Sequence, residues 1–257
     1  MKAADLFDLS GEVALITGAS SGLGRNFAKV LAANGAKVVI AARSAGKLED
    51  LKGEIETAGG EALVVPLDIS QRDQIAPAFD AAEAAFGTVT LLVNNAGISG
   101  AMTGMDMTPE EWRDLMAINL DGPWFAAQEA SRRMIAADCG GTIINIASVA
   151  SYRALRMLAA YGASKAALKQ LTANLAVELA RHNIRVNAIA PGYILTEINR
   201  EFFESGAGDH MIKTIPQRRI GDPSDLDGVL LLLASRKAGA FMTGTTVIVD
   251  GGQVLGV

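Results

Sequence analysis

Short aliphatic and β-branched segments recur along the chain, and a stretch with helical spacing of its apolar positions follows most of them. The segments cover residues 13–16, 37–41, 62–67, 91–93, 142–146, 185–189 and 246–249. A strand that is apolar on both faces needs cover on both sides, which parallel sheets obtain from the helices that connect their strands. The alternation therefore predicts an α/β fold, a doubly wound parallel sheet of about seven strands with helices on both faces.

The first connecting segment shows the helical spacing clearly. Leu23, Phe27, Val30 and Leu31 are separated by steps of four, three and one, which places them on one face of a helix. Gly35 follows at the position where a helix C-terminus favours a positive φ. We expect a helix with one buried face, ending just before Gly35.

The alternation continues without a Pro/Ser-rich tract or a block of charge, so the sequence favours one domain over residues 1–257. Residues 195–216 interrupt it, because this stretch has no obvious strand and combines large apolar residues with glycines. These residues are Ile198, Phe202, Phe203, Gly206 and Gly208. We predict a substrate flap here, with a variable surface excursion as the alternative.

Composition narrows the class of protein. Half of the residues are hydrophobic, but no apolar segment reaches the roughly 20 residues of a spanning helix, so we expect a soluble protein with no membrane partner. Cys139 is the single cysteine, and no basic segment leads into an apolar stretch near residue 1, which together favour a cytoplasmic location. The net charge of −5 and the scattered basic residues argue against a nucleic-acid partner. His182 and His210 are too isolated to predict a metal site.

A glycine-rich turn follows the first predicted strand and leads directly into the first helix. It contains Gly18, Gly22 and Gly24 with G-x-x-x-G-x-G spacing, which differs from the commoner G-x-G-x-x-G pattern. Glycines allow a tight turn and a close approach of backbone amides to a phosphate, and the helix N-terminus adds partial positive charge. The turn therefore predicts a dinucleotide site.

A tyrosine and a lysine four residues apart form the candidate proton-transfer group. Tyr161 and Lys165 should lie on one helix face, where the ammonium favours the phenolate and lowers the pKa of the tyrosine from about 10. Ser148 follows the predicted strand 142–146, at the carboxyl edge where ligands of doubly wound sheets bind. A turn-capping role for Ser148 remains the alternative, and Ser151 could compete for either role.

Five ordered motifs together resemble the short-chain dehydrogenase/reductase family and cover nearly the whole chain. They are Thr17-Gly-x-x-x-Gly-x-Gly24, Asn94-Asn95-Ala96-Gly97, Ser148, Tyr161-x-x-x-Lys165 and Pro191-Gly192. The resemblance implies a Rossmann-like fold, Tyr161 as proton donor and acceptor, Ser148 bonded to the substrate oxygen, and Lys165 bonded to the nicotinamide ribose. It also implies that Asn119, on a predicted helix over residues 110–120, holds a water of the proton relay.

The same resemblance assigns the cofactor contacts. These are Gly18, Ser20, Ser21, Gly22, Leu23, Gly24, Arg43, Ser44, Asp68, Ile69, Asn95, Ala96, Gly97, Tyr161, Lys165, Pro191, Gly192, Ile194 and Thr196. Asp68 resembles the family's adenine contact, although it could equally cap the next helix. Thr196 would reach the nicotinamide carboxamide.

The residues at the end of the second predicted strand indicate whether the site prefers NAD(H) or NADP(H). An NAD-selective site places a carboxylate there, against the ribose 2′-hydroxyl. This chain has Ala42 at that position, followed by Arg43 and Ser44, which suit a 2′-phosphate. The sequence therefore favours NADP(H), with NAD(H) as the alternative and a solvated Arg43 as the competing interpretation.

The predicted function is reduction of a ketone to a secondary alcohol, with a 3-oxoacyl, steroid-like or sugar-derived substrate unresolved. The pocket walls should come from residues 99–105 and 151–158, from Tyr193 and from the flap. We expect Arg153 and Arg156 in solvent, with a contact to a carboxylate or phosphate of the substrate as the alternative, and the sequence does not favour an acidic substrate. The alternatives are an NAD-dependent alcohol or polyol dehydrogenase and a catalytically silent dinucleotide-binding regulator. The family resemblance implies a homotetramer, with a dimer as the alternative.

Overall fold

The computed structural model describes residues 2–100, 102–197, 199–205 and 208–256. Their strands are β1 (Val13–Thr17), β2 (Lys37–Ala42), β3 (Glu61–Pro66), β4 (Leu91–Asn94), β5 (Gly141–Ile146), β6 (Ile184–Pro191) and β7 (Thr246–Val249). Their α-helices are α1 (Ala3–Leu6), α2 (Gly22–Ala33), α3 (Ala45–Thr57), α4 (Ile75–Phe86), α5 (Pro109–Met116), α6 (Gly122–Ala136), α7 (Ala159–Leu179), α8 (Arg200–Glu204), α9 (Asp209–Thr214) and α10 (Asp227–Ala234).

The strands form one parallel sheet with the order β3-β2-β1-β4-β5-β6-β7. The order runs outward from β1 in one direction and from β4 in the other, so the connections reverse between these two strands. In open α/β sheets this reversal leaves a crevice at the carboxyl ends of the strands, where ligands bind. The predicted doubly wound sheet is confirmed.

Apolar side chains cover both faces of the sheet, as the apolar strands require. Alternate residues of β1 point to opposite sides, with Ile16 packed in a cluster with Phe27 of α2 and Leu230 of α10. Leu15 packs in a second cluster that includes Phe79 of α4. The structure therefore has one helical layer on each face.

Helix α2 has the buried face that the spacing of its apolar residues predicts. Phe27 and Leu31 are fully buried, and Leu23 and Val30 pack partly buried against the same cluster. The φ angle of Gly35 is +96 degrees, a positive value as predicted. The predicted helix end at Gly35 is confirmed.

The helix predicted over residues 110–120 has a different form in the structure. It begins at Pro109, where the Thr108 hydroxyl accepts from the amide of Glu111 and the Glu111 carboxylate accepts from the amide of Thr108. It does not end at Leu120, because a π-helical turn over Ala117–Asp121 carries it into α6. The predicted end was wrong because α5 passes into the π-helical turn without a helix end, and Gly122 and Pro123 continue directly as the first residues of α6.

The segment 195–216 contains α8 and α9 and no strand within its described part. Ile194, just before it, forms an isolated bridge with Gly221, just after it. Ile198 and Gly206, on which the flap prediction partly depends, lie outside the described residues. Closure of this segment over a substrate stays a prediction.

No helix of the described ranges has both the length and the apolar character needed to cross a bilayer. Within the same ranges, no three His, Cys, Asp or Glu side chains lie close enough together to hold a metal ion.

Candidate active site

A cleft of about 1250 Å³ opens at the carboxyl ends of the strands. It is lined by the glycine turn after β1, by the ends of β2, β3, β4, β5 and β6, and by the start of α7. Single-ligand pockets usually have volumes of about 300–1000 Å³. The cleft is therefore large enough for two ligands side by side.

The glycine turn requires glycine for steric reasons. Gly18 and Gly22 have positive φ values of 68 and 52 degrees. A Cβ atom added to Gly18 would lie 2.8 Å from the Cα atom of Ala96, and one added to Gly24 would lie 2.4 Å from the side-chain nitrogen of Asn95. Gly18, Ser20, Ser21, Gly22 and Leu23 line the cleft, whereas Gly24 packs behind it.

The N-terminus of α2 faces the cleft, and a carboxylate of the protein itself binds there. Ser21 precedes the helix, and its side chain makes no capping hydrogen bond. The amide of Gly22 donates instead to the carboxylate of Glu197, at 3.0 Å. Sequence analysis missed Glu197, since this contact joins residues 175 positions apart and leaves no local pattern.

The far end of the cleft contains the residues predicted to contact the adenosine. Arg43 and Ser44 are exposed, line the cleft and directly follow the last residue of β2, Ala42. Asp68 and Ile69 line it from the end of β3. The Asp68 carboxylate also accepts from the amide and hydroxyl of Ser70, at 3.0 and 2.8 Å, so it stabilises its own turn while facing the cleft.

The wall formed by Asn95, Ala96 and Gly97 is fixed by hydrogen bonds to Thr17. The Thr17 hydroxyl accepts from the amides of Asn95 and Ala96, at 3.1 and 3.0 Å. The Asn95 side chain donates to the Thr17 carbonyl at 3.0 Å. The end of β1 and the segment after β4 therefore form one rigid side of the cleft.

Pro191, Gly192, Ile194 and Thr196 line the opposite side. The amide of Thr196 donates to the side-chain oxygen of Asn199 at 2.7 Å, and the Asn199 side-chain nitrogen donates to the carbonyl of Ile194 at 2.8 Å, so Asn199 holds the start of the segment 195–216 in a turn.

The structure brings Ser148, Tyr161 and Lys165 together at one end of the cleft. Ser148 follows β5, and its hydroxyl accepts from the amide of Ala150 at 3.1 Å, so it caps the 3-10 turn Val149–Ser151 as well as facing the cleft. Its side chain is also hydrogen-bonded to Tyr161. Ser151, the competing candidate, does not line the cleft, and its buried hydroxyl has no partner in the described part of the chain.

Tyr161 and Lys165 lie one turn apart on α7, as their spacing predicts. The Lys165 ammonium lies 5.9 Å from the centroid of the Tyr161 ring and donates to the carbonyl of Ile146 at 2.8 Å. Only 4% of Lys165 is exposed. Burial lowers the pKa of Lys165 to about 8.

The expectation that Lys165 makes Tyr161 more acidic is corrected by the structure. Burial raises the pKa of Tyr161, and the hydrogen bond with Ser148 offsets this only in part. The reason is physical: a phenolate loses its hydration in this site, and that effect outweighs the attraction of a cation that is itself bonded to a backbone carbonyl. Tyr161 therefore holds its proton at neutral pH.

Asn119 lies within the π-helical turn, fully buried and behind the cleft. Its side-chain oxygen accepts from the amide of Ile98 at 2.9 Å, and its nitrogen donates to the Ile98 carbonyl at 2.8 Å. A Cβ atom added to Gly97 would lie 3.3 Å from the Asn119 oxygen and 3.4 Å from the Lys165 nitrogen, so both side chains border Gly97.

Ser164 links Asn119 to the helix of Tyr161, and sequence analysis missed it. Its buried hydroxyl donates to the Tyr161 carbonyl at 2.8 Å and accepts from the Asn119 nitrogen at 3.2 Å. The sequence did contain a signal for it, because Ser164 is a polar residue between Tyr161 and Lys165 on the same helix.

Arg153 corrects the expectation that both arginines of the segment 151–158 lie in solvent. It is half-buried, and its guanidinium donates to the carbonyls of Gln253 and Gly256 near the C-terminus. Arg156 is exposed as expected, but it also lines the cleft.

Residues 12–206 match the family model of the short chain dehydrogenases. The chain is 37% identical over 249 residues to gluconate 5-dehydrogenase of Gluconobacter oxydans, covering 96% of each chain. It is 39% identical over 251 residues to 3beta-hydroxysteroid dehydrogenase 1 of Eggerthella lenta, covering 96% of this chain and 95% of the relative. A crystal structure of a gluconate 5-dehydrogenase from Burkholderia cenocepacia, in complex with NADP and tartrate, superposes with a TM-score of 0.94 at 39% identity over all of both chains.

Fold, motif order and overall similarity agree. The chain belongs to the short-chain dehydrogenase/reductase family and is an oxidoreductase of that class.

Proposed function

We propose that the protein is an NADP(H)-dependent reductase that converts a ketone to a secondary alcohol, with Tyr161 as the proton donor. The observation that carries this proposal is that one cleft contains both the candidate catalytic residues and the candidate 2′-phosphate site. Ser148, Tyr161 and Lys165 share one end, and the other end has Arg43 and Ser44 with no carboxylate at the end of β2.

The described residues fit a dinucleotide with a 2′-phosphate. The glycine turn leaves no room for side chains and presents the N-terminus of α2, which suits a pyrophosphate. The exposed guanidinium of Arg43 has the planar donor geometry that suits a phosphate, and Ser44 adds a hydroxyl. The presence of NADP in the crystal structure of the Burkholderia cenocepacia relative supports this choice.

The side chains of the site provide proton transfer and hydrogen bonding, and the coenzyme provides the hydride. When bound, the nicotinamide supplies the hydride in reduction and accepts it in oxidation. Tyr161 keeps its proton at neutral pH and can give it to the oxygen on which negative charge develops. Ser148 is placed to donate to the same oxygen, because its hydroxyl lies beside Tyr161.

Lys165 and Asn119 support the proton donor. With a pKa of about 8, Lys165 is charged at neutral pH and stabilises the negative charge left on Tyr161 after proton transfer. Asn119 fixes the backbone of Ile98 and, through Ser164, the first turn of α7. We propose that Asn119 positions the residues of the proton relay.

All three substrate types predicted from the sequence occur among relatives of 36–39% identity. We propose a sugar-derived ketone because gluconate-type enzymes recur among these relatives and among the similar solved structures. They include a gluconate 5-dehydrogenase and the 5-keto-D-gluconate 5-reductase of Escherichia coli, which is 36% identical over 254 residues.

Two measurements test the proposal. The first follows NADPH absorbance with a panel of 3-oxoacyl, steroid and sugar-derived ketones, and we expect turnover that Tyr161→Phe abolishes while NADPH binding persists. The second compares both coenzymes in the wild type and in an Ala42→Asp/Arg43→Ala variant. We expect the wild type to prefer NADPH and the variant to prefer NADH; preference of the wild type for NADH would refute the coenzyme assignment.

We also propose a cytoplasmic homotetramer. Exposed apolar side chains such as Val177 on α7 and Phe241 before β7 are suited to burial between subunits. Light scattering of the purified protein tests this, since a monomer at micromolar concentration would contradict it.

A further inference from the structure

The segment between Ser151 and α7 forms one wall of the cleft and is held in place at two points. Met102 and Leu158 form an isolated bridge, and the amide of Met102 donates to the carbonyl of Met157 at 2.9 Å. At its other end, Arg153 is bonded to backbone carbonyls near the C-terminus. The backbone of this wall is therefore held at both ends, on either side of Arg156.

Arg156 is carried on this wall without any partner among the described residues. It is exposed, it lines the same cleft as Ser148 and Tyr161, and it makes no hydrogen bond or ion pair within the ranges that the structure describes. Arg153, three residues earlier, is bonded to the protein. The two arginines of this wall therefore differ, and only Arg156 is available to a ligand.

The charges of the cleft leave Arg156 alone at the substrate end. Of the charged residues that line the described cleft, Arg43 and Asp68 stand at the ends of β2 and β3, beside the proposed adenosine site. Lys165 is buried and bonded to the carbonyl of Ile146. Arg156 thus meets no competing carboxylate on the cleft lining at its own end.

We propose that Arg156 binds a carboxylate of the substrate, so that the enzyme acts on oxo acids and the corresponding hydroxy acids. A guanidinium presents parallel N–H donors that match the two oxygens of a carboxylate. The rest of this wall is largely apolar, with Leu155, Met157 and Leu158 on the lining, so the charge contact gives the orientation that apolar contacts lack. This inference rests on the proposed function, because it assigns the substrate class of that same site.

The test compares acids with their neutral esters. The probes are 5-oxogluconate, 4-oxopentanoate and 5-oxohexanoate, each against its methyl ester, with NADPH. For the acids that are reduced, we expect kcat/KM at least tenfold above the ester value, mainly through KM. Arg156→Gln should lower kcat/KM at least tenfold for the acid and less than twofold for the ester, with kcat changed less than twofold. Arg156→Lys should retain part of the preference.

Arg132→Gln is the matched control, because Arg132 is an exposed arginine of α6 away from the cleft. It should leave both substrates unaffected. Equal use of acid and ester, or an equal loss for both in Arg156→Gln, overturns the assignment of Arg156 while leaving the reductase function standing.

A binding measurement tests the carboxylate site of Arg156 separately from the proposed reductase function. Calorimetry of 5-oxogluconate with the wild type saturated with NADP⁺ should show binding that Arg156→Gln weakens at least tenfold. Absence of turnover with every carbonyl in the panel would count against the proposed function, and binding that is unchanged in Arg156→Gln would count against the carboxylate site.

Discussion

Replacing Lys165 by methionine should change how the stability of the protein depends on pH. Burial lowers the pKa of Lys165 from 10.5 in the unfolded chain to about 8 in the folded protein. Between these values the unfolded chain binds the proton that the folded protein has released. Stability therefore rises with pH across this window, by at most about 1.4 kcal/mol per pH unit.

The expected effect follows from the two pKa values. Between about pH 7.5 and pH 9.5 the wild type should gain about 2 kcal/mol of unfolding free energy relative to Lys165→Met. Methionine has a similar length and no titrating group, so the other titrating groups cancel in the comparison. The upper limit lies below the raised pKa of Tyr161, whose titration would otherwise contribute.

Urea denaturation at several pH values measures this difference. Lys169→Met is the matched control, because Lys169 stands one turn further along α7, where its ammonium lies over the Tyr152 ring at 4.2 Å from the centroid. This variant should keep the pH slope of the wild type. Parallel stability curves for the wild type and Lys165→Met would refute the conclusion that burial dominates the pKa of Lys165.

Three further predictions concern the glycine turn, a glycine of α3 and the carboxylate beside the turn. Gly24→Ala should abolish coenzyme binding and lower stability by roughly 1–3 kcal/mol, since the added carbon would lie 2.4 Å from the Asn95 nitrogen. Gly53→Ala, with open space around it on α3, should raise stability by about 0.5–1 kcal/mol, and thermal unfolding compares the two. Glu197→Gln should strengthen NADPH binding about two- to fivefold by fluorescence titration, because an exposed charged hydrogen bond contributes about 0.5–1 kcal/mol. Glu201→Gln serves as its control, and equal affinities in both variants would show that the Glu197 carboxylate does not compete with the coenzyme.

The sheet could be predicted because each strand is a short apolar segment that is recognisable in the sequence. The strand limits from the sequence and the structure differ by two residues or fewer, as for β6, predicted at 185–189 and observed at Ile184–Pro191. The glycine turn and the Tyr161–Lys165 pair were also visible, since their spacing is local and their residue types are constrained by sterics and by helix periodicity.

What the sequence could not predict depends on contacts between distant segments. The direction of the Tyr161 pKa depends on how deeply the packed protein buries the phenol. The position of Arg153 depends on carbonyls about 100 residues further along the chain. The π-helical turn at Asn119 leaves no mark in the residue types, because one additional residue in a helix changes the hydrogen-bond partner and not the composition.

That turn has a consequence for variation in chain length. A π-helical turn holds one residue more than a regular α-helical turn, so deleting a single residue between Ala117 and Asp121 would restore regular hydrogen bonding and leave α6 in its present orientation relative to α5. The buried face of α6, which includes Ala126 and Ala130, would then stay against the sheet. The fold should therefore tolerate a one-residue deletion here better than one inside α5 or α6, where the same deletion would rotate the rest of the helix by about 100 degrees.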